Sequence, residues 1–175
     1  FNKSLIIMKK ILLLFITSLL VSCGASKTTS GEPKEKTLKG EWEISDVKFQ
    51  GKQGTYKAKM FGFDDTSCFK NSTWMFIPNN NTGKFTTAAN NSTCESKTAR
   101  IIWSFVQSET GKLLQFKYVN EKNKNIDAMN RGCQLKIKSL TPTSMTATVS
   151  VIVNGSPFDV HLIFNKISEN VNLKS

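Results

Sequence analysis

Histidine and arginine are almost missing from this chain. His161 is the one histidine, and Arg100 and Arg131 are the only arginines among 24 basic and 13 acidic residues. Each shortage excludes something. There is no Cys-x-x-Cys and no group of histidines, so ligands for a zinc site are lacking. The glycines at 51 and 54 precede neither a lysine-serine pair nor a helical pattern, so there is no phosphate loop. His161 falls on the polar parity of 158–164, away from the apolar face, with no nucleophile or base at a useful spacing. Asp64 and Asp65 are sequence neighbours, and neighbours in extended chain point apart, which makes a poor carboxylate dyad. An enzyme is therefore not expected, and no catalytic residue, cofactor or metal is assigned. The net charge of +11 comes from scattered lysine. Lys117, Lys136 and Lys138 alternate with apolar residues as solvent-facing strand positions do, which discourages edge pairing and argues against a nucleic-acid face built on clustered arginine.

What is present begins with an address. Lys9 and Lys10 are followed by an apolar run from Ile11 to Val21 and then by Ser22-Cys23-Gly24. That is the layout of a secretory signal, with eleven apolar-core residues where a bilayer-crossing helix needs roughly 20. Leucine three places before Cys23 and glycine after it resemble the lipobox of bacterial lipoproteins. The resemblance implies cleavage before Cys23, acylation (palmitate or a similar chain) on its sulfur, and, with Gly24 rather than aspartate next, sorting to the outer membrane. Without an acidic cluster after Cys23, the periplasmic face is expected. Residues 1–7 precede Met8, which opens a better signal, and read as a gene-model extension. Residues 1–22 carry three lysines and no acid, so their removal leaves a net charge of +8. From 23 to 37 the chain is small, polar and charged, and too poor in apolar surface to offset ordering entropy; a flexible linker is expected there. Residues 38–167 are the size of one domain, followed by a tail, 168–175.

Within that domain the pattern is strand after strand. In 41–49, Trp42 and Ile44 share one parity and Val47 and Phe49 the other, which calls for a bulge near Ser45 and Asp46. Runs 100–107 and 112–119 make a hairpin that sets Trp103 and Phe105 against Leu114, Phe116 and Tyr118. Runs 133–140, 144–153 and 157–167 make a meander, with Asn154-Gly155 as its strongest turn. Residues 52–71 mix a possible strand at 55–60 with a loop, and 120–131 reads as a loop. About eight strands at short intervals predict an all-β, antiparallel, eight-stranded up-and-down barrel, since closure removes exposed edges. Cys68 and Cys94 flank a hairpin, 72–78 and 84–87, that brings its ends together, so they are the natural disulfide in an oxidising compartment. Cys133 lies on the apolar parity and reads as a small buried hydrophobe.

The opening Leu38-Lys39-Gly40-Glu41-Trp42 resembles the Gly-x-Trp start of lipocalins. With Cys68, Trp74 and Phe76, the Asn-rich turn before Gly83 and Phe85, Cys94, Trp103 and the phrase at 140–145, the domain resembles the lipocalin-like lipoproteins of Bacteroidetes. The resemblance implies a calycin-type barrel closed at one end by Gly40 and Trp42, with Cys68 bonded to Cys94. The arginine that typical lipocalins pack on this tryptophan has no counterpart here; only Lys166 and Lys174 lie in that region. The barrel therefore transfers, and lipocalin transport does not.

Two functions are compatible with this reading. In the first, a lipid-anchored, non-enzymatic module binds a small hydrophobic molecule among Trp74, Phe76, Trp103, Phe105, Phe116 and Tyr118. In the second, the barrel is filled and acts on a protein partner or as an envelope-structural part through its loops. There the candidate patch is the segment carrying Phe61, Phe63, Asp64 and Asp65, whose phenylalanines alternatively cap the open end of the barrel.

Overall fold

A computed structural model describes residues 33–51, 56–127 and 130–171. Cys23, the signal, residues 23–32 of the linker, residues 52–55 and the end of the tail from 172 lie outside the described residues. Eight strands close into one antiparallel barrel: β1 (Gly40–Phe49), β4 (Thr73–Ile77), β5 (Thr82–Thr86), β6 (Thr98–Ser108), β7 (Gly111–Val119), β8 (Cys133–Leu140), β9 (Ser144–Val153) and β10 (Ser156–Ser168). Around the wall the order is β1-β10-β9-β8-β7-β6-β5-β4, with β4 returning to β1. A two-stranded ribbon, β2 (Lys59–Met60) and β3 (Asp64–Asp65), and a 3-10 turn (Thr66–Phe69) belong to the connection between β1 and β4.

Period-2 alternation decides what faces inward. The register sets Trp103 opposite Phe116, Phe105 opposite Leu114 and Ile101 opposite Tyr118, as the hairpin pattern requires. The bulge in β1 falls between Ile44 and Asp46, so Trp42, Ile44, Val47 and Phe49 pair with β10 despite their change of parity. Asn154 and Gly155 both take positive φ, 49° and 79°, which matches the right-handed strand twist in a tight hairpin. Gly40 (φ 122°) is fixed by contact, because a Cβ there would collide with the Ser168 carbonyl oxygen.

The end at which β1 begins is closed. A single helical turn, α1 (Glu35–Leu38), lays Leu38 beneath the barrel, and the Trp42 indole N–H donates to the Leu38 carbonyl at 2.8 Å. Both side chains are fully buried. The Lys166 ammonium stands 4.9 Å from the centre of the Trp42 ring and donates to the Thr37 carbonyl and the Glu169 carboxylate. A lysine thus supplies the cation over the tryptophan, a contact worth about 0.5–2 kcal/mol. Lys112 donates to the Pro33 carbonyl at 2.8 Å, so residues 33–37, the last five of the expected linker, are seated on the barrel.

Candidate functional site

The opposite end is built differently. Ribbon β2–β3 turns at Phe61 and Gly62, both with positive φ (58° and 68°), and the Phe63 N–H donates to the Met60 carbonyl at 3.0 Å. A left-handed phenylalanine costs about 1–2 kcal/mol. Its ring recovers more than that. It meets Phe69, Trp74 and Phe116 edge-on, with centroids 5.1–5.9 Å away, and such pairs are worth about 0.5–1.5 kcal/mol each. Its carbonyl accepts from the Tyr118 hydroxyl at 3.0 Å and from the Cys133 thiol at 3.6 Å. Phe63 reaches Phe69, Phe85 and Tyr118. The two phenylalanines therefore enter the mouth of the barrel, which is the capping arrangement; they do not form an outward contact patch.

The ribbon is anchored from behind. Cys68 and Cys94 are bonded, with Cα atoms 5.3 Å apart, tying the 3-10 turn to the loop after β5. Asp65 accepts from the Ser67 N–H at the start of that turn. Asp64 bonds the Lys97 ammonium at 3.0 Å. Burial pushes the Asp64 carboxyl up, but the Asp65 N–H and Lys97 more than offset it and leave its pKa lowered. The two aspartates thus serve different partners and form no dyad.

The six aromatics picked out by the strand pattern do converge. Trp74, Phe76, Trp103 and Phe116 are essentially inaccessible, while Phe105 and Tyr118 are half-buried. They spend their faces on protein. Trp74 stacks on Phe85 at 4.4 Å and lies 6.0 Å from Phe76 and 5.8 Å from Phe116. Trp103 meets Phe76 at 5.6 Å and Phe105 at 6.0 Å. The indole N–H groups of Trp74 and Trp103 donate to Ser72 Oγ and the Thr82 carbonyl. These residues fill the β4–β7 half of the interior.

Open space lies on the other side. A cavity of about 1520 Å³ occupies the mouth and is lined by Phe61, Phe63, Tyr118, Cys133, Val149 and Val151 on its apolar wall. Of the six aromatics, Tyr118 alone lines it. The space reflects strand pairing. β8 and β9 pair only between Lys136–Thr148 and Leu140–Met145. Nearer the mouth, β8 pairs with β7 through Cys133 and Leu135, while residues 149–153 of β9 pair with β10. The wall is split there, and the cavity runs through the split to Lys136, Lys138, Thr148 and Ile152 on its outer side. Nothing in the residue pattern marks where a ladder stops, so the sequence reading missed this site. Its one sequence signal was the inward alternation Val149, Val151, Val153 in a strand whose partner is shorter.

Burial, together with the nearby Asp127 carboxylate, raises the Cys133 thiol to about 11, against a smaller opposing pull from Tyr118. Burial likewise raises the Tyr118 phenol, with Cys133 adding to it. Both groups are therefore neutral at physiological pH, which suits an apolar wall and not a thiolate nucleophile. His161 lies on the outer wall, its Nε2 2.8 Å from Gln50 Oε1. Among the described residues no group of three histidine, cysteine or carboxylate side chains is placed to hold a metal.

No protein-family model matches the sequence, and no curated protein matches it. Among solved structures, the chain is similar to bovine odorant-binding protein in complex with a selenium-containing odorant, at 15% identity and a TM-score of 0.42, covering 81% of this chain and 76% of that one. It is similar at 16% identity and a TM-score of 0.41 to the same bovine protein with undecanal, covering 82% and 78% of the two chains. These likenesses are distant, and the barrel assignment rests on the closed strand order of the chain itself.

Proposed function

We propose that this protein is a lipid-anchored lipoprotein of the outer membrane, facing the periplasm, whose lipocalin-like barrel binds a small hydrophobic molecule without catalysing its conversion. The observation that carries the reading is the mouth cavity, which is apolar on its inner wall, open to solvent, and not filled by side chains although an aromatic core fills the other half of the barrel. The site so assigned is Phe61, Phe63, Tyr118, Val149 and Val151. The five other aromatics act as the rigid wall behind it. Anchoring is supported by the signal and lipobox ending at Cys23. The first described residues, from Pro33, sit at the closed end, so the tether joins the barrel opposite its mouth. Kinship with the lipocalin-like lipoproteins of Bacteroidetes belongs to the same reading.

Native mass spectrometry tests it. Residues 24–175, which contain every strand of the closed barrel, are purified from a periplasmic expression and weighed folded and then denatured. The expected result is extra mass in the folded state that is lost on unfolding, over a chain two daltons light for one disulfide. A folded chain that carries no added mass, and takes none up when offered fatty acids or long-chain alcohols, would favour a filled barrel that acts through its loops.

A further inference from the structure

One buried polar group is left over. Thr148 is 7% exposed, and its Oγ1, out of reach of solvent, has no hydrogen-bond partner among the described residues. Leaving such a hydroxyl unpaired costs about 1–3 kcal/mol, yet an outward strand position accepts valine readily. Its location is specific. Thr148 is the last β9 residue paired with β8, opposite Lys136, at the point where the wall divides, and it lines the cavity.

The charge around it is one-sided. Lys136 and Lys138 stand on β8 at the outer lip of the split, and neither is in an ion pair among the described residues. On the β10 side Thr148 is flanked by His161, held by Gln50. The nearest carboxylate along β10 is Asp159, one outward position further towards the mouth and opposite Ser150. The acids Glu121 and Asp127 lie on the β7–β8 connection and also border the cavity. Nearer the rim these acids are matched by Lys59, Arg100 and Arg131, so the charge there is mixed, and a net positive lip is found at the level of Thr148. Inward from the same point the split opens on Val149, Val151 and the phenylalanines of the plug.

We propose that the split between β8 and β9 is a lateral binding site for a single-chain anionic amphiphile, with its carboxylate or phosphate head drawn by Lys136 and Lys138 and accepting from Thr148 Oγ1 as the split widens to uncover that hydroxyl, and its alkyl chain passing inward along Val149 and Val151. This deepens the binding reading above and depends on it. Thr148 then has its partner when ligand is bound, and the lysines serve as a mobile counter-charge. Lys136, whose Cε lies near Gly111, swings from over β7 to the head.

The test compares laurate, dodecyl phosphate and dodecanol, each below its aggregation threshold, by calorimetric titration of residues 24–175 in three forms: unaltered, Thr148→Val, and Lys136→Gln/Lys138→Gln. The expected result is binding of both anions at least about tenfold tighter than dodecanol, since a hydrogen bond to a charged group supplies that much. Each variant should lose most of that preference and keep its dodecanol affinity. The ratio of laurate to dodecyl phosphate identifies the head group. Thr148→Val removes no buried contact, and its melting temperature checks the fold. Equal affinity for all three probes, or an anion preference that neither variant moves, would overturn the lateral site and leave the general binding reading standing. Absence of binding by every probe would sink both.

Discussion

Three seams of the barrel pair over only four positions, β1–β4, β7–β8 and β8–β9, and the chain treats the first and the last in opposite ways. β1 and β4 pair over only four positions, from Gly40–Phe76 to Glu43–Thr73. Beyond these the gap is sealed from within the molecule. Ile44 and Ser72 share a backbone hydrogen bond at 3.0 Å, Asn71 and Ile44 another at 2.7 Å, and Met60, Phe61, Phe63 and Phe69 fill the space behind, held by the disulfide. β8 and β9 also pair over four positions. There nothing among the described residues completes the ladder, the strand edges face a cavity, and a threonine hydroxyl is unpaired at its head. A barrel needs every seam closed if it is only a packed core. The one left open is the one with cations on its lip.

The largest expected effect separates the seams by stability. Trp74→Ala on the sealed side removes a fully buried indole that touches five other rings, and should destabilise by about 3–5 kcal/mol. Val151→Ala on the open side removes two methyl groups beside a cavity and should cost about 1–2 kcal/mol. Urea unfolding of both gives the contrast directly, and equal losses would break it. Next in size is the brace behind the plug. Replacing Cys68 and Cys94 together with alanine frees the 26-residue separation they span and should cost about 2–4 kcal/mol. Added dye that fluoresces in apolar clefts should then report a wider mouth.

A smaller change of opposite sign is predicted at the open seam. Thr148→Val exchanges an unpaired hydroxyl for a methyl group of the same shape and should stabilise the free protein by about 1 kcal/mol, read as a rise in melting temperature. A drop would mean that the hydroxyl already has a partner. The last prediction is silent near neutral pH. Cys133 and Tyr118 are held protonated in the fold, and the thiol is raised from 9.0 to about 11. Stability should be intact below pH 9 and decline as pH rises towards 11, because the unfolded chain ionises first. Cys133→Ser should flatten part of that decline in urea midpoints measured between pH 8 and 11.

How much of this was legible in the sequence depends on the range of the interaction. The bulge at Ser45 and Asp46, the β6–β7 register and the Asn154-Gly155 turn are set within one or two strands, where period-2 alternation and turn chemistry speak plainly. The bond between Cys68 and Cys94 followed from a hairpin that brings its ends together. Of residues 55–60, which read as a possible strand, the described part, 56–60, contributes Lys59 and Met60 to a short ribbon. Their neighbours Phe61 and Phe63 are governed by what they reach across the barrel, and periodicity does not see that. The aromatics of β4, β6 and β7 were recognised as interior, yet which interior residues pack and which line space depends on where the β8–β9 ladder ends. Thr148 reads as an ordinary outward threonine until its two neighbours are known.

The central claim, that the β8–β9 seam is open for a ligand while the β1–β4 seam is structural, is tested most directly by amide hydrogen exchange with and without laurate. In the free protein, alternate amides in 133–135 and 149–153 that face the split should exchange faster than those of Trp42, Ile44 and Trp74. Laurate should slow the former and leave the latter unchanged. Equal protection of both seams in the free protein, or a laurate effect confined to the β1–β4 side, would contradict it.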